Sequence, residues 1–321
     1  MRTLGALCLW LALVSPAQAL TNQLGSHPSP YLALHGDDPV AWQVWSESVF
    51  EKARQENKLV YVSVGYFSCH WCHVMAHECF EDNEVAARMN ELFVNIKVDR
   101  EERPDLDAIY QRAISLMGQQ GGWPLTMFLT PDGEPFWGGT YFPREASYGR
   151  PGFRDVLKLI HGAYVNEPET VRKNQSNMVE ALAKLADNNP GGDIEEKQVE
   201  DIGQALLREV DPRHGGIGGA PKFPQTPILD LLWRNYKRTG SELMRTAVIL
   251  SARQMSEGGI YDHLGGGYSR YSTDERWLVP HFEKMLYDNA QILELLCHLW
   301  QDTREPLFKQ RAEETVTWLS S

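Results

Sequence analysis

Hydrophobic and polar positions along the chain change their period near residue 190. Upstream, amphipathic helical stretches alternate with short β-branched runs; downstream the pattern is helical throughout. Ser48-x-x-Glu51 has capping-box spacing and predicts a short helix, followed by a buried strand over 59–64. A helix start over 69–77, a helix over 82–92, a strand over 93–98 and a helix over 104–117 with proline in its first turn come next. Apolar strands over 125–129 and 134–140 flank Pro131-Asp132-Gly133 and predict an antiparallel hairpin. Helices over 152–166 and 169–187 close this part.

The break falls at Asn188-Asn189-Pro190-Gly191-Gly192-Asp193. Beyond it, helices are predicted over 195–209, 227–238, 243–257, 282–301 and 306–320, with no strand between them. The glycine-rich connections His214-Gly215-Gly216-Ile217-Gly218-Gly219 and Gly258-Gly259-Ile260 with Gly265-Gly266-Gly267 recur about fifty residues apart, which suggests paired-helix repeats burying their apolar faces against one another. The expected organisation is an α/β domain over 20–187, a mixed sheet with flanking helices, and an all-α helical-hairpin domain over 188–321.

Residues 1–19 are set apart from both. Arg2, an apolar run from Leu4 to Val14 and Ala17-Gln18-Ala19 have the layout of a secretory signal peptide. The run falls short of the ~20 residues that span a bilayer. The mature protein is therefore expected to start near Leu20, in a periplasmic or secreted location, with no membrane span after cleavage. Composition adds that the chain is globular, with 42% hydrophobic and 23% charged residues. Thirty-one Lys+Arg against 43 Asp+Glu leave a net charge of −12, which opposes binding to phosphate backbones and excludes nucleic acid as an expected partner.

Export changes the meaning of the cysteines. Cys8 leaves with the leader, and Cys69, Cys72, Cys79 and Cys297 are too few for a disulfide scaffold. Cys79 and Cys297 read as small buried hydrophobes. Ser68-Cys69-His70-Trp71-Cys72-His73 follows a strand and opens a helix, the context of a redox Cys-x-x-Cys motif. A thiolate on Cys69 faces the free N–H groups of the helix start, which lower its pKa, and His70 can add positive charge. Cys72, one turn on, can attack a mixed disulfide on Cys69. Gly121-Gly122-Trp123-Pro124 precedes the hairpin, where a proline belongs at a strand's start. The candidate catalytic set is Cys69 as nucleophile, Cys72 as resolving thiol, His70 as tuning group and Pro124 as a substrate-side shelf, with Trp71 and Trp123 as binding residues. Protein thiols or disulfides are the expected partners.

Three other readings of the same residues stay open. Cys69-His70-Trp71-Cys72-His73 satisfies the c-type haem pattern; Cys69, Cys72, His73, His77 and Cys79 could supply zinc ligands; and the pair could form a structural disulfide. The haem reading leaves the preceding strand and Trp123-Pro124 unexplained, and the zinc reading takes every ligand from one local stretch, so no cofactor or metal is expected. The charged run from Asp99 to Asp105 reads as a solvated loop.

The motifs together carry a family resemblance. Ser29-Pro30-Tyr31-Leu32, Asp38-Pro39-Val40-Ala41-Trp42, Cys69-His70-Trp71-Cys72-His73-Val74-Met75, Lys97-Val98-Asp99-Arg100-Glu101-Glu102-Arg103-Pro104-Asp105, Gly139-Thr140-Tyr141-Phe142-Pro143, Gly219-Ala220-Pro221-Lys222-Phe223-Pro224 and Pro280-His281-Phe282-Glu283-Lys284-Met285 stand in order along nearly the whole mature chain. The sequence resembles the spermatogenesis-associated thioredoxin-like proteins and their bacterial relatives. That resemblance implies a thioredoxin-like domain with a cis-proline at Trp123-Pro124, followed by an α/α toroid like those of six-hairpin glycosidases and sugar epimerases. A complete toroid holds twelve helices, so the five expected here imply an incomplete one with an exposed apolar flank.

The loops of the helical part suggest a second chemistry. Asp262, His263, Arg270, Trp277, His281 and Glu283 offer carboxylates, imidazoles and an aromatic face, the set that binds a small carbohydrate. The plainer reading is an i,i+4 pair between Lys284 and Asp288, with glycines turning the chain.

Overall fold

The fold is that of a computed structural model and describes residues 20–147, 149–186 and 191–321. The leader expected over 1–19 and residues 188–190 of the expected break lie outside the described residues. The chain divides into two compact units, 1–187 and 188–321.

In the first unit, β1 (Leu59–Gly65) and β2 (Phe93–Asp99) pair in parallel from Leu59↔Phe93 to Gly65↔Asp99. The other edge of β1 pairs antiparallel with β3 (Leu125–Leu129), which turns back into β4 (Pro135–Gly139). The result is a mixed sheet of order β2-β1-β3-β4. The hairpin turn closes by a bond from Gly133 N–H to Thr130 O (2.9 Å), and Gly133 takes φ 84°, which glycine adopts without a steric penalty.

Strands β1, β2 and β3 are buried at every position, which is why they read as continuous apolar runs. Their two faces nevertheless differ with the period of two that the pleat imposes. Val60, Val62, Val64, Val94, Ile96, Val98, Leu125, Met127 and Leu129 make an aliphatic face. It packs on α2 (Glu47–Glu56), α5 (Pro104–Leu116) and α7 (Pro168–Ala186) through Phe50, Ala53, Leu106, Ala113, Ile114 and Met178. The intervening residues of the central strands include Tyr61, Ser63, Asn95, Lys97 and Asp99, and this second face carries an aromatic cluster of Trp42, Tyr61, Phe80, Phe128 and Phe153. The cysteine helix α3 (His70–Met75) runs on through a π-helical turn, Ala76–Phe80, which delivers Phe80 to that cluster. Then come α4 (Asn83–Leu92), capped by Asp82, and after the hairpin α6 (Phe153–Asn166).

Two local expectations are corrected. Helix α2 starts at Glu47 with Ser46 before it, and Ser48 lies inside the first turn, its hydroxyl 3.0 Å from that of Ser46, so the expected capping box does not form. A short helix α1 (Pro30–Ala33) also stands where no element was expected; Ser29 caps it by accepting Leu32 N–H.

The second unit contains, among the described residues, α8 (Glu196–Leu207), α9 (Thr226–Thr239), α10 (Glu242–Glu257), α11 (Leu286–Thr303) and α12 (Pro306–Leu319). Helices α9 and α10 pack as one pair and α11 and α12 as another, with α9 against α11 and α10 against α12. Leu229, Leu232, Trp233, Met244, Val248, Ile292, Leu295, Leu296 and Phe308 fill the shared core. Short strands β5 (Tyr271–Ser272) and β6 (Pro280–His281) pair between them, contrary to the expectation of helices alone. They also explain why α11 begins at 286 and not at 282: Arg270 N–H donates to Glu283 O (2.6 Å), holding that segment extended. Leu264, Phe282 and Leu286 are exposed. No helix among the described residues is long and apolar enough to cross a membrane.

Ile96 is fully buried at the centre of the aliphatic face. Ile96→Ala is expected to cost about 2–5 kcal/mol, read from urea denaturation, because the sheet cannot close over the missing methyl groups. An unchanged midpoint contradicts the packing described.

Candidate functional site

The parallel ladder sets the site. Strands β1 and β2 end together at Gly65 and Asp99, and Arg100 N–H extends the ladder to Gly65 O (2.9 Å). The chain leaves Gly65 in a turn closed by Cys69 N–H on Tyr66 O (3.2 Å) and enters α3 with Cys69 as its N-cap. Cys69 Sγ accepts Cys72 N–H at 3.2 Å, so the sulfur takes one of the donors a helix start leaves open. Cys69 and Cys72 are joined by a disulfide with Cα atoms 5.3 Å apart. Cys69 is 3% exposed and Cys72 1%.

The Trp123–Pro124 peptide is cis. Val64 pairs with Leu125, so the same antiparallel register extended by one step sets Pro124 opposite Gly65. The segment is held from α5, by residues that the sequence reading missed. Gln111 bonds both sides of Gly122: its Oε1 accepts Gly122 N–H (3.1 Å) and its Nε2 donates to Gly122 O (3.2 Å). Asp107, one turn earlier, accepts Trp123 Nε1–H (2.8 Å) and pairs with Arg100 (3.0 Å), whose guanidinium lies 4.4 Å from the Trp123 ring centroid. The run expected to be solvated therefore turns partly inward: Asp99 is buried, and Arg100 pairs with the buried Asp107 beyond the run's end. Two polar residues four apart on one helix were the available signal.

The other predicted residues of this unit are placed as follows. His70 is solvent-exposed in the first turn of α3 and meets the Trp71 ring edge-to-face at 5.6 Å. Trp71 is half exposed and packs on Tyr141 (4.9 Å), whose hydroxyl donates to Glu78 (2.6 Å). The residues of the zinc reading are engaged separately. His73 Nε2 bonds Phe67 O (2.7 Å), and His77 pairs with Glu81 (2.8 Å). Cys79 is buried, and burial pushes its thiol pKa up to about 12, which leaves it protonated. Cys297, expected to be buried, is exposed, because α11 buries its other side through Ile292, Leu295, Leu296 and Leu299.

A buried polar cluster lies on the second face of the sheet. Lys97 is 1% exposed, its Nζ 3.2 Å from Ser63 Oγ and 5.4, 5.0 and 4.3 Å from the ring centroids of Tyr31, Trp42 and Phe80. Burial lowers its pKa to about 7. His35, 2.8 Å from Asp38, is lowered to about 4 by burial and by Lys97, and is neutral at pH 7.

In the second unit the loop residues are held by one another. Asp262 accepts Leu264 and Gly265 N–H and pairs with Lys284 (2.8 Å), which bring its pKa down to about 2. Arg270 pairs with Asp288 (2.6 Å), so the expected Lys284–Asp288 pair gives way to two cross-loop pairs. His263 bonds Gly258 O (3.0 Å), His281 stacks on Tyr271 (4.6 Å), and Glu283 is buried. Trp277 is fully buried with its indole N–H on His214 O (2.9 Å), so it offers no stacking face, contrary to expectation.

Residues 21–183, just over half of the chain, match the family model Thioredox_DsbH, described as protein of unknown function, DUF255. The chain belongs to this family. The DUF255 segment is thioredoxin-like, a mixed sheet with flanking helices, and a helix-rich remainder follows it. The DUF255 chain is 38% identical to spermatogenesis-associated protein 20 of Rattus norvegicus over 312 residues, 94% of this chain and 39% of that protein. It is 39% identical over 289 residues to the uncharacterized protein B0495.5 of Caenorhabditis elegans, 88% of this chain and 39% of that one. The chain thus spans about two fifths of the length of these curated relatives. Among solved structures, a DsbH oxidoreductase aligns with a TM-score of 0.30 and 16% identity, over 47% of this chain and 91% of its own.

Lys97 gives this region a pH signature. The unfolded chain keeps that lysine protonated up to its ordinary 10.5, whereas the folded chain releases the proton near 7. The unfolded state binds more protons across that window, so stability rises with pH from about 7 to 10. Lys97→Met is expected to flatten the rise and to stabilise the protein at pH 7, measured by urea denaturation at a series of pH values; an unchanged slope contradicts it.

Proposed function

We propose that the DUF255 unit is a thiol–disulfide oxidoreductase acting on protein thiols and disulfides. The supporting observation is the Cys69–Cys72 disulfide at the start of α3, with Cys69 Sγ accepting a backbone N–H that favours its thiolate. In one direction a substrate thiolate attacks Cys69, the N-cap cysteine of α3; a bond forms between substrate sulfur and Cys69, and Cys72 leaves as a thiolate. A second substrate thiolate then attacks the substrate sulfur of this mixed disulfide, and the pair is left reduced. Run backwards, Cys69 opens a substrate disulfide and Cys72 releases the product. Exposed Phe67 and Trp71, two residues to either side of Cys69, give an unfolded substrate apolar surface to lie on. Pro124 is assigned the shelf beside the pair, and His70 the role of tuning Cys69.

The carbohydrate reading of the second unit gains no supporting observation: Asp262 and Arg270 are paired with Lys284 and Asp288, and the Trp277 ring is buried.

Cys69→Ser is expected to abolish turnover of a model disulfide, and Cys72→Ser to accumulate the mixed disulfide, both read by thiol trapping. The pair's reduction potential is expected within the exchange-enzyme range of about −120 to −270 mV. A potential below about −300 mV, with turnover unaffected by either substitution, marks a structural disulfide instead.

Export belongs to the same proposal, because an oxidising compartment keeps the pair ready to accept electrons. Terminal sequencing of protein recovered from an export-competent host is expected to start near Leu20. Recovery from the cytosol with residues 1–19 retained contradicts this.

A further inference from the structure

Gly65 ends β1 against two buried groups. A Cβ built there would collide with the Tyr31 hydroxyl and come within 2.7 Å of Cys72 Sγ, so hydroxyl and sulfur border one space that only a glycine leaves clear. Tyr31 is 1% exposed, and its hydroxyl has no hydrogen-bond partner among the described residues. A buried donor left unbonded is costly and calls for a cause.

The placement of Tyr31 is built, not incidental. It sits in the first turn of α1, whose N-cap Ser29 accepts Leu32 N–H (3.2 Å) and donates to Asp99 Oδ2 (2.6 Å). Asp99 is the ladder partner of Gly65, so one end of the sheet fixes both the hydroxyl and the turn that leads to the cysteines. Burial, with the Asp99 carboxylate as the next cause, holds the Tyr31 pKa well above its ordinary value, so the group stays a donor.

We propose that Tyr31 is a further residue of the exchange reaction: its hydroxyl donates a hydrogen bond to the Cys72 thiolate that forms when the disulfide opens. The inference rests on the oxidoreductase reading. As the substrate thiolate bonds to Cys69 Sγ, the Cys69–Cys72 bond breaks and its electron pair stays on Cys72 Sγ. The Tyr31 O–H bonds that new anion without giving up its proton. In the reverse step the same Cys72 thiolate attacks Cys69 Sγ and expels the substrate thiolate. The hydroxyl is thus unbonded in the oxidised state, where Cys72 Sγ carries no charge, and bonded in the reduced one. Tyr31 thereby favours the reduced pair.

The groups facing Tyr31 are Asp99, Asp38, Tyr61 and Tyr66, with Lys97 across its ring and His35 at its edge; Tyr31→Phe leaves all of them in place. The test compares the full chain with Tyr31→Phe, measuring the equilibrium with glutathione, and in a Cys69→Ala background the Cys72 pKa by thiolate absorbance. Loss of a hydrogen bond to a charged group is expected to cost roughly tenfold to hundredfold in thiolate stability, and to shift the glutathione equilibrium toward the disulfide by a similar factor. At 29.6 mV per tenfold, that lowers the potential by about 30–60 mV. The oxidised variant is expected to melt no lower than the parent, since it loses only an unbonded hydroxyl.

If the parent exchanges with glutathione and Tyr31→Phe leaves the Cys72 pKa and the equilibrium within twofold, the Tyr31 role fails and the oxidoreductase reading stands. A lower melting temperature of the oxidised variant marks the hydroxyl as structural and also overturns the role. A pair inert to glutathione in the parent overturns the oxidoreductase reading, and the role of Tyr31 with it.

Discussion

The parallel pairing of β1 and β2 is the constraint on which the first unit depends. Parallel strands need a crossover of many residues, and here that crossover is α3, the π-helical turn and α4. Because the two strands end in register at Gly65 and Asp99, their following loops leave from one edge. One loop carries the cysteines. The other carries Arg100, which reaches back to Trp123 beside the third strand. A one-residue slip would exchange the aliphatic and polar faces and put Lys97 against the valines.

The two faces do different work. The aliphatic face supplies most of the burial that holds the sheet to α2, α5 and α7, and none of the strand side chains on that face is ionisable. The opposite face accepts a lysine, an asparagine and an aspartate within the same strand. Lys97 is tolerated there because rings surround it and its amine gives up its proton near neutrality, which avoids a buried unpaired charge. Tyr31 and Ser63 border the same amine, so the polar cluster continues from the centre of the sheet toward the cysteine pair.

Much of this was legible in the sequence. Apolar runs located β1 to β3, Pro131-Asp132-Gly133 located the hairpin, and Cys69-x-x-Cys72 between strand and helix located the site. What stayed hidden depended on side chains meeting across the fold. Lys97 reads as an ordinary charge in a strand until both strand faces are seen to be covered. Asp107 and Gln111 read as the wet side of an amphipathic helix, yet they hold Gly122 and Trp123. Ser29-Pro30-Tyr31-Leu32 stood out as a motif without a use, because four residues of helix carry too little periodicity to be read as an element. Trp277 misled for the opposite reason: an aromatic residue in a connecting loop looks like a ligand platform until its indole is found inside the core.

The second unit shows why glycine-rich loops invite such misreading. Asp211 and Asp262 each stand four and five residues before a glycine pair, Gly215-Gly216 and Gly266-Gly267, and all four glycines take positive φ. In each loop the aspartate N–H bonds the second glycine's carbonyl, and its own carbonyl accepts the first glycine's N–H. The aspartate side chain is then met by a lysine from further along, Lys222 in one loop and Lys284 in the other. Flanking bridges repeat as well, Val210 with Ile217 and Tyr261 with Tyr268. Two loops built alike, each spending its carboxylate on its own backbone and one cation, are connectors that seat successive helix pairs. Their shared chemistry is the chemistry of a turn that must close without a regular ladder.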